Sequence, residues 1–298
     1  MQRFTAGAHW ASRQLKGGRA LVLAAVLMGL SGAIVPASTA AAAGLKVVIV
    51  VGPTESGTAH NIADARELAA QARGYGATVT EIYSPNATWS RVRSAAQGAN
   101  VFIYLGHGSG WPSPYKPYTA KKKDGLGLNA AANHGNSNVT YYGEWYLIKY
   151  IHLAPNSVVL LRGLCYSAGN SEPGKPDPTV AVGKARVDNY AAGFLRTGAK
   201  AVFAEPYGGV GYILADIFQS DLTVRDIFTN DGADGPGGGW GAGWGSGGGW
   251  GSALTSTTFA SSRTSFATVI SDRDANGKFR RSVAGNLDLT ATSVRQGS

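Results

Sequence analysis

NVFIYLGHG, residues 100–108, is a short apolar run that breaks on a Gly-His-Gly turn. Similar apolar runs stand on either side of it, at Lys46 to Val51 (KVVIVV), Ala77 to Ile82, Ser157 to Leu161 (SVVLL) and Ala199 to Ala204. Amphipathic stretches separate them. Asn61 to Arg73 carries Ile62, Ala65, Leu68, Ala69 and Ala72 on one face at helical spacing, and Ala87 to Gln97, Tyr142 to Tyr150, Asn189 to Arg196 and Tyr212 to Phe218 also read as helices. Short strands alternating with helices are the pattern of βαβ units, so the chain is predicted to be α/β with a mostly parallel sheet of about five or six strands.

Three stretches break this rhythm. Trp111 to about Thr140 is rich in Gly, Asn, Pro, Tyr and Lys and reads as a long irregular insert. Residues 231–252 collapse into Gly, Trp and Ser, a composition that cannot build a packed core, and mark a flexible boundary after a domain at 44–230. Residues 253–298 then read as a short β-rich extension. Within it Asp272, Asp274 and Asn276 follow the D-x-D-x-N-G order of a calcium loop, but Val283 occupies the twelfth position, where a bidentate Glu is needed. The other reading is a hairpin turn with Asn276-Gly277 at its tip.

Residues 1–43 have the zones of an export signal: basic Arg3, Arg13, Lys16 and Arg19, the apolar run Ala20 to Leu30, and small residues up to Ala43. The run is shorter than the roughly 20 residues of a membrane span, so the predicted product is secreted, with no stable span after signal removal. Losing those four basic groups lowers the formal net charge from +9 to +5. The remaining Lys and Arg are scattered, which argues against a nucleic-acid partner. Lys121, Lys122 and Lys123 read as a solvated loop. The three tryptophans of the Gly-rich segment read as rings docked on the protein's own surface or, in the other reading, as a contact to sugars such as cell-wall glycans.

The chain has a single cysteine, Cys165, and an exported lone thiol needs a reason. It stands just past the strand SVVLL, as His107 stands just past NVFIYL, at the edge where parallel sheets collect their active sites. Adjacent strands lie about 4.8 Å apart, so the two can meet across 58 residues of sequence. Other chemistries fit less well. Gly52 to Thr58 has phosphate-loop glycines, but Thr58 replaces the lysine. His60, His107, His134 and His152 show no zinc spacing, and no cofactor is called for. Gly163-Leu164-Cys165-Tyr166-Ser167 is close to a nucleophile elbow, yet α/β-hydrolases and papain-like proteases need a histidine downstream, and none follows His152.

An α/β sheet with His-Gly after one apolar strand and Cys after the next major one resembles the caspase, gingipain, legumain and CHAT-domain superfamily of cysteine peptidases. The matching stretches are Val101 to Ser109, Val158 to Gly169 and Phe194 to Ala204, within residues 45–220. The resemblance implies a caspase-like three-layer sandwich and an endopeptidase in which Cys165 attacks the peptide carbonyl while His107 manages the proton. It also assigns an oxyanion hole to the backbone N–H groups of Gly108 and Cys165. Specificity is open: Glu205 or Asp177 would attract a basic side chain and Arg162 an acidic one, while Trp111, Tyr115 and Tyr118 would wall the cleft. A peptidase-like module that binds without cleaving, or a Cys-dependent acyl hydrolase or transferase, are the competing readings.

Overall fold

The structure, a computed structural model, describes residues 44–230 and 254–297. The expected signal and the Gly/Trp-rich segment therefore lie outside the described residues. Among the described residues ten strands form: β1 (Lys46–Val51), β2 (Thr78–Tyr83), β3 (Val101–Leu105), β4 (Leu126–Asn129), β5 (Val139–Tyr142), β6 (Val158–Arg162), β7 (Ala201–Glu205), β8 (Thr255–Ala260), β9 (Thr268–Arg273) and β10 (Phe279–Gly285). Eight of them make one sheet in the order β2-β1-β3-β6-β7-β10-β9-β8. The first five are parallel, and β10, β9 and β8 add on antiparallel.

Side chains alternate between the faces of a strand, and here both faces are buried. Val47, Ile49, Val51, Ile103 and Leu160 point to one face, where α1 (Thr58–Gly74), α5 (Gly211–Gln219), α6 (Val224–Asn230) and α7 (Ala291–Gln296) pack. Val48, Val50, Phe102, Tyr104 and Leu161 point to the other, under α2 (Trp89–Ala96), α3 (Glu144–Tyr150) and α4 (Val180–Leu195). Helix, sheet and helix are thus three layers. Two-sided burial is why the parallel strands read as unbroken apolar runs.

The C-terminal stretch corrects two expectations. It is not a separate extension but the antiparallel end of the same sheet, which has eight strands and not five or six. The buried carboxylate of Asp188 in α4 ties it down, accepting from Ser262 N at 2.8 Å and Ser262 Oγ at 2.6 Å in the β8–β9 turn. The calcium-loop reading also fails on how the carboxylates are used. Asp272 is paired with Arg281 at 2.8 Å and Asp274 with Arg280, while Asp274 Oδ1 also takes the N–H groups of Asn276 and Lys278. A carboxylate already neutralised by a guanidinium has little left for a cation, and the segment is the β9–β10 turn.

The insert is not irregular throughout. β4 and β5 pair as a hairpin held to the main sheet by Tyr104, whose hydroxyl donates to Gly127 O at 2.8 Å and accepts from Gly127 N at 2.9 Å. Helix α4 begins at Val180, well before Asn189, where the Thr179 hydroxyl accepts from Val182 N as an N-cap. Among the described residues no helix is long and apolar enough to cross a membrane.

Candidate active site

Strands β3 and β6 are parallel neighbours with Leu105 opposite Arg162, so the chain leaves the sheet at the same level from both. His107 follows two residues after one end and Cys165 three after the other. The turns touch: a Cβ built on Gly108 would stand 2.1 Å from Cys165 O and 3.0 Å from Cys165 N. Only glycine permits that approach, which brings backbone next to His107 onto backbone at Cys165.

Strand β1 lies on the far side of β3, and its turn completes the row. Glu55, at φ +47, places its Oε2 3.1 Å from His107 Nε2. That contact engages Nε2 and orients the ring. Below, a Cβ on Gly127 in β4 would meet His107 Cβ at 3.3 Å, so the hairpin is the floor under the histidine.

The turn at Cys165 is tightly built. Gly163 (φ +76) and Gly169 (φ +92) take left-handed conformations that suit glycine, but Tyr166 does so too, at φ +70. A bulky residue there is strained and must be held by its surroundings. The Tyr166 hydroxyl donates to Glu172 Oε1 at 2.8 Å, and the Arg186 guanidinium lies 4.7 Å over its ring. Asn170 Nδ2 and Ser167 Oγ both donate to Leu164 O, at 3.2 and 3.1 Å. Phe279 of β10 fills the space beside Gly169 and Gly183, where a Cβ would come within 2.7 and 2.1 Å of its ring.

The Cys165 thiol is pushed up to about 11, first by burial and then by the Glu172 carboxylate, with its own backbone N–H pulling weakly the other way. It is therefore a neutral thiol at physiological pH. Among the described residues no hydrogen bond joins it to His107.

Two hollows flank the pair. A cleft of about 620 Å³ is lined by Gly108, Ser109, Tyr115, Lys123, Tyr166 and Glu172 among others. A smaller one of about 320 Å³ holds Cys165, Asn170, Asp177, Tyr207 and Lys278. Glu172 borders both, its second oxygen taking the Tyr115 hydroxyl at 2.8 Å.

The predicted specificity residues land elsewhere. Arg162 pairs with Asp64 of α1 at 2.6 Å. Glu205 is buried and accepts from the Tyr212 hydroxyl at 2.9 Å. Trp111 leans on Tyr118, its carbonyl held by Asn189 Nδ2 at 2.9 Å. None of the three lines either hollow. His134 is exposed between β4 and β5 and Asp177 sits on the rim of the smaller hollow. The lysine run is not wholly solvated, because Lys123 is buried and faces the larger cleft.

Sequence reading missed Glu55, Glu172 and Lys123. Glu55 had a usable signal, an acidic residue in the turn after the strand next to NVFIYL. Among the described residues no group of three or more His, Cys, Asp or Glu gathers as a metal site. No protein-family model, curated protein or solved structure matches the chain.

Proposed function

We propose that this chain is an exported cysteine endopeptidase of caspase-like architecture, acting through His107 and Cys165. The observation that carries the reading is the seating of Gly108 on the Cys165 backbone at the carboxyl ends of adjacent parallel strands. Export rests on the residues of 1–43 alone. With a thiol held near 11, the pair does not rest as an ion pair. His107 takes the thiol proton as sulfur attacks the carbonyl carbon, then gives it to the leaving amine as the C–N bond breaks. Water, deprotonated by the same ring, cleaves the thioester and restores the thiol. Charge on the tetrahedral oxygen falls to the N–H groups of Gly108 and Cys165.

The high thiol pKa and the missing His107 to Cys165 hydrogen bond favour one other reading, a module that binds without turnover. A peptidyl chloromethyl ketone separates the two. Wild type is expected to be alkylated at Cys165 at neutral pH, with labelling and peptide turnover falling about a thousandfold or more in Cys165→Ala and His107→Ala. Labelling that survives His107→Ala unchanged overturns the dyad.

A further inference from the structure

Lys123 is 7% exposed, and among the described residues its ammonium touches only hydroxyls, Ser109 Oγ at 3.3 Å and Ser113 Oγ at 3.2 Å, with the Tyr115 ring 5.7 Å away. No carboxylate among the described residues forms an ion pair with it. Its chain neighbour Asp124 instead accepts the Trp111 N–H at 2.9 Å. Burial pulls the Lys123 pKa down, which the more distant charges of Asp124 and Glu172 oppose. A buried cation without a counter-ion is costly, and this one faces a cleft of about 620 Å³ rather than the core. Lys116 and Lys122 also line the cleft, whose lining holds a single carboxylate, Glu172, with both oxygens engaged by tyrosine hydroxyls. Ser109, which touches the ammonium, directly follows Gly108.

We propose that this cleft is an anion subsite in which Lys123, with Lys116 and Lys122 at the rim, receives a substrate carboxylate next to the bond that Cys165 attacks. The assignment rests on the peptidase reading. The carboxylate comes from an internal Asp or Glu side chain or from a free chain end.

The test uses the full chain in two formats. With wild type, fluorogenic Ala-Ala-X peptides are expected to be cleaved at least about tenfold faster for X = Asp or Glu than for Asn, Gln, Ala or Arg, the scale of one charge-assisted contact. With Cys165→Ala, fluorescent peptides carrying an internal Asp or Glu and an amidated end, or no acidic side chain and a free end, are compared for binding with neutral amidated controls. Tighter binding of either set supports the subsite and names its source. Lys123→Met removes the charge and keeps the volume. It is expected to abolish the preference while leaving the melting temperature unchanged or higher, because an unpaired buried charge is gone. Lys123→Gln, which retains a hydrogen-bonding group, replaces it should the methionine variant not fold. Equal binding of acidic and neutral peptides, or a preference that survives Lys123→Met, overturns the subsite. Cleavage without acidic preference, together with equal binding of acidic, free-ended and neutral amidated peptides, sinks the subsite and leaves the peptidase standing; carboxylate-selective binding in Cys165→Ala with no cleavage by wild type does the reverse.

Discussion

Ionisable groups are handled in opposite ways in the antiparallel β9–β10 hairpin and beside the larger cleft. In the β9–β10 hairpin every buried carboxylate has an arginine: Asp272 takes Arg281 and Asp274 takes Arg280. At and beside the larger cleft three ionisable groups are left with neutral company, whereas Arg162 at the end of β6 is paired with Asp64. Lys123 has serines, Glu172 has tyrosines, and Asp124 has one amide N–H with its second oxygen unsatisfied. Pairing is what a structural charge needs, since an unpaired one destabilises the fold. The unpaired Lys123 is the cost that the proposed anion subsite would account for, and Tyr166, which lines the same cleft, holds strained backbone.

The contrast is broken most severely at Arg281. Arg281→Met strands Asp272, 2% exposed and paired at 2.8 Å, without its cation. Such a loss costs about 3–5 kcal/mol, or roughly ten degrees in melting temperature for a domain of this size. Thermal unfolding checks it directly. Arg281→Met and Lys123→Met are the same kind of change with opposite expected signs, and equal destabilisation by both would erase the distinction.

How much of this was legible in the sequence follows the same divide. The parallel strands announce themselves because both faces are buried, so KVVIVV, NVFIYL and SVVLL read as apolar without reference to anything else. They also fixed where His107 and Cys165 had to stand. The antiparallel strands hide. TSTTFA in β8 is largely exposed or half-buried at the sheet edge, and β10 carries two arginines whose partners lie on β9 and in its turn. LGLN and VTYY are too short and too polar to signal a hairpin, which depends on a tyrosine hydroxyl 23 residues away. Lys123 looks like its neighbours in KKKD; its burial comes from Ser109 and Ser113 closing over it, which no local pattern shows.

Asp124 sharpens the comparison at intermediate strength. Burial pushes its carboxyl up to about 8; the Trp111 N–H opposes this, the Glu144 charge adds to it, and Arg263 and Lys123 oppose it. A folded pKa above the unfolded value means that the folded chain keeps a proton the unfolded chain has lost. Its contribution is therefore whole below about pH 4 and is lost as pH rises towards 8. Asp124→Asn holds the neutral state at every pH and still accepts from Trp111 N. It is expected to match wild type near pH 4 and to exceed it by about 1–3 kcal/mol near pH 8, the scale of one unsatisfied buried group. Denaturant unfolding at the two pH values measures this, and a constant difference would place the effect outside Asp124 ionisation.

The smallest change tests whether the unpaired charges speak to the thiol. Glu172 is the second cause, after burial, of the raised Cys165 pKa, and its tyrosine partners are neutral donors that leave its charge in place. Glu172→Gln keeps an oxygen for one hydroxyl and removes the charge. Burial is untouched, so the thiol pKa falls only part of the way back, and iodoacetamide alkylation near pH 8 should rise by roughly twofold to fivefold, tracking the thiolate fraction. The midpoint of the rate against pH should shift to lower pH with the plateau unchanged. A midpoint that stays in place would mean that the Glu172 charge does not reach Cys165, and that the carboxylate serves only to hold Tyr115 and Tyr166 across the cleft mouth.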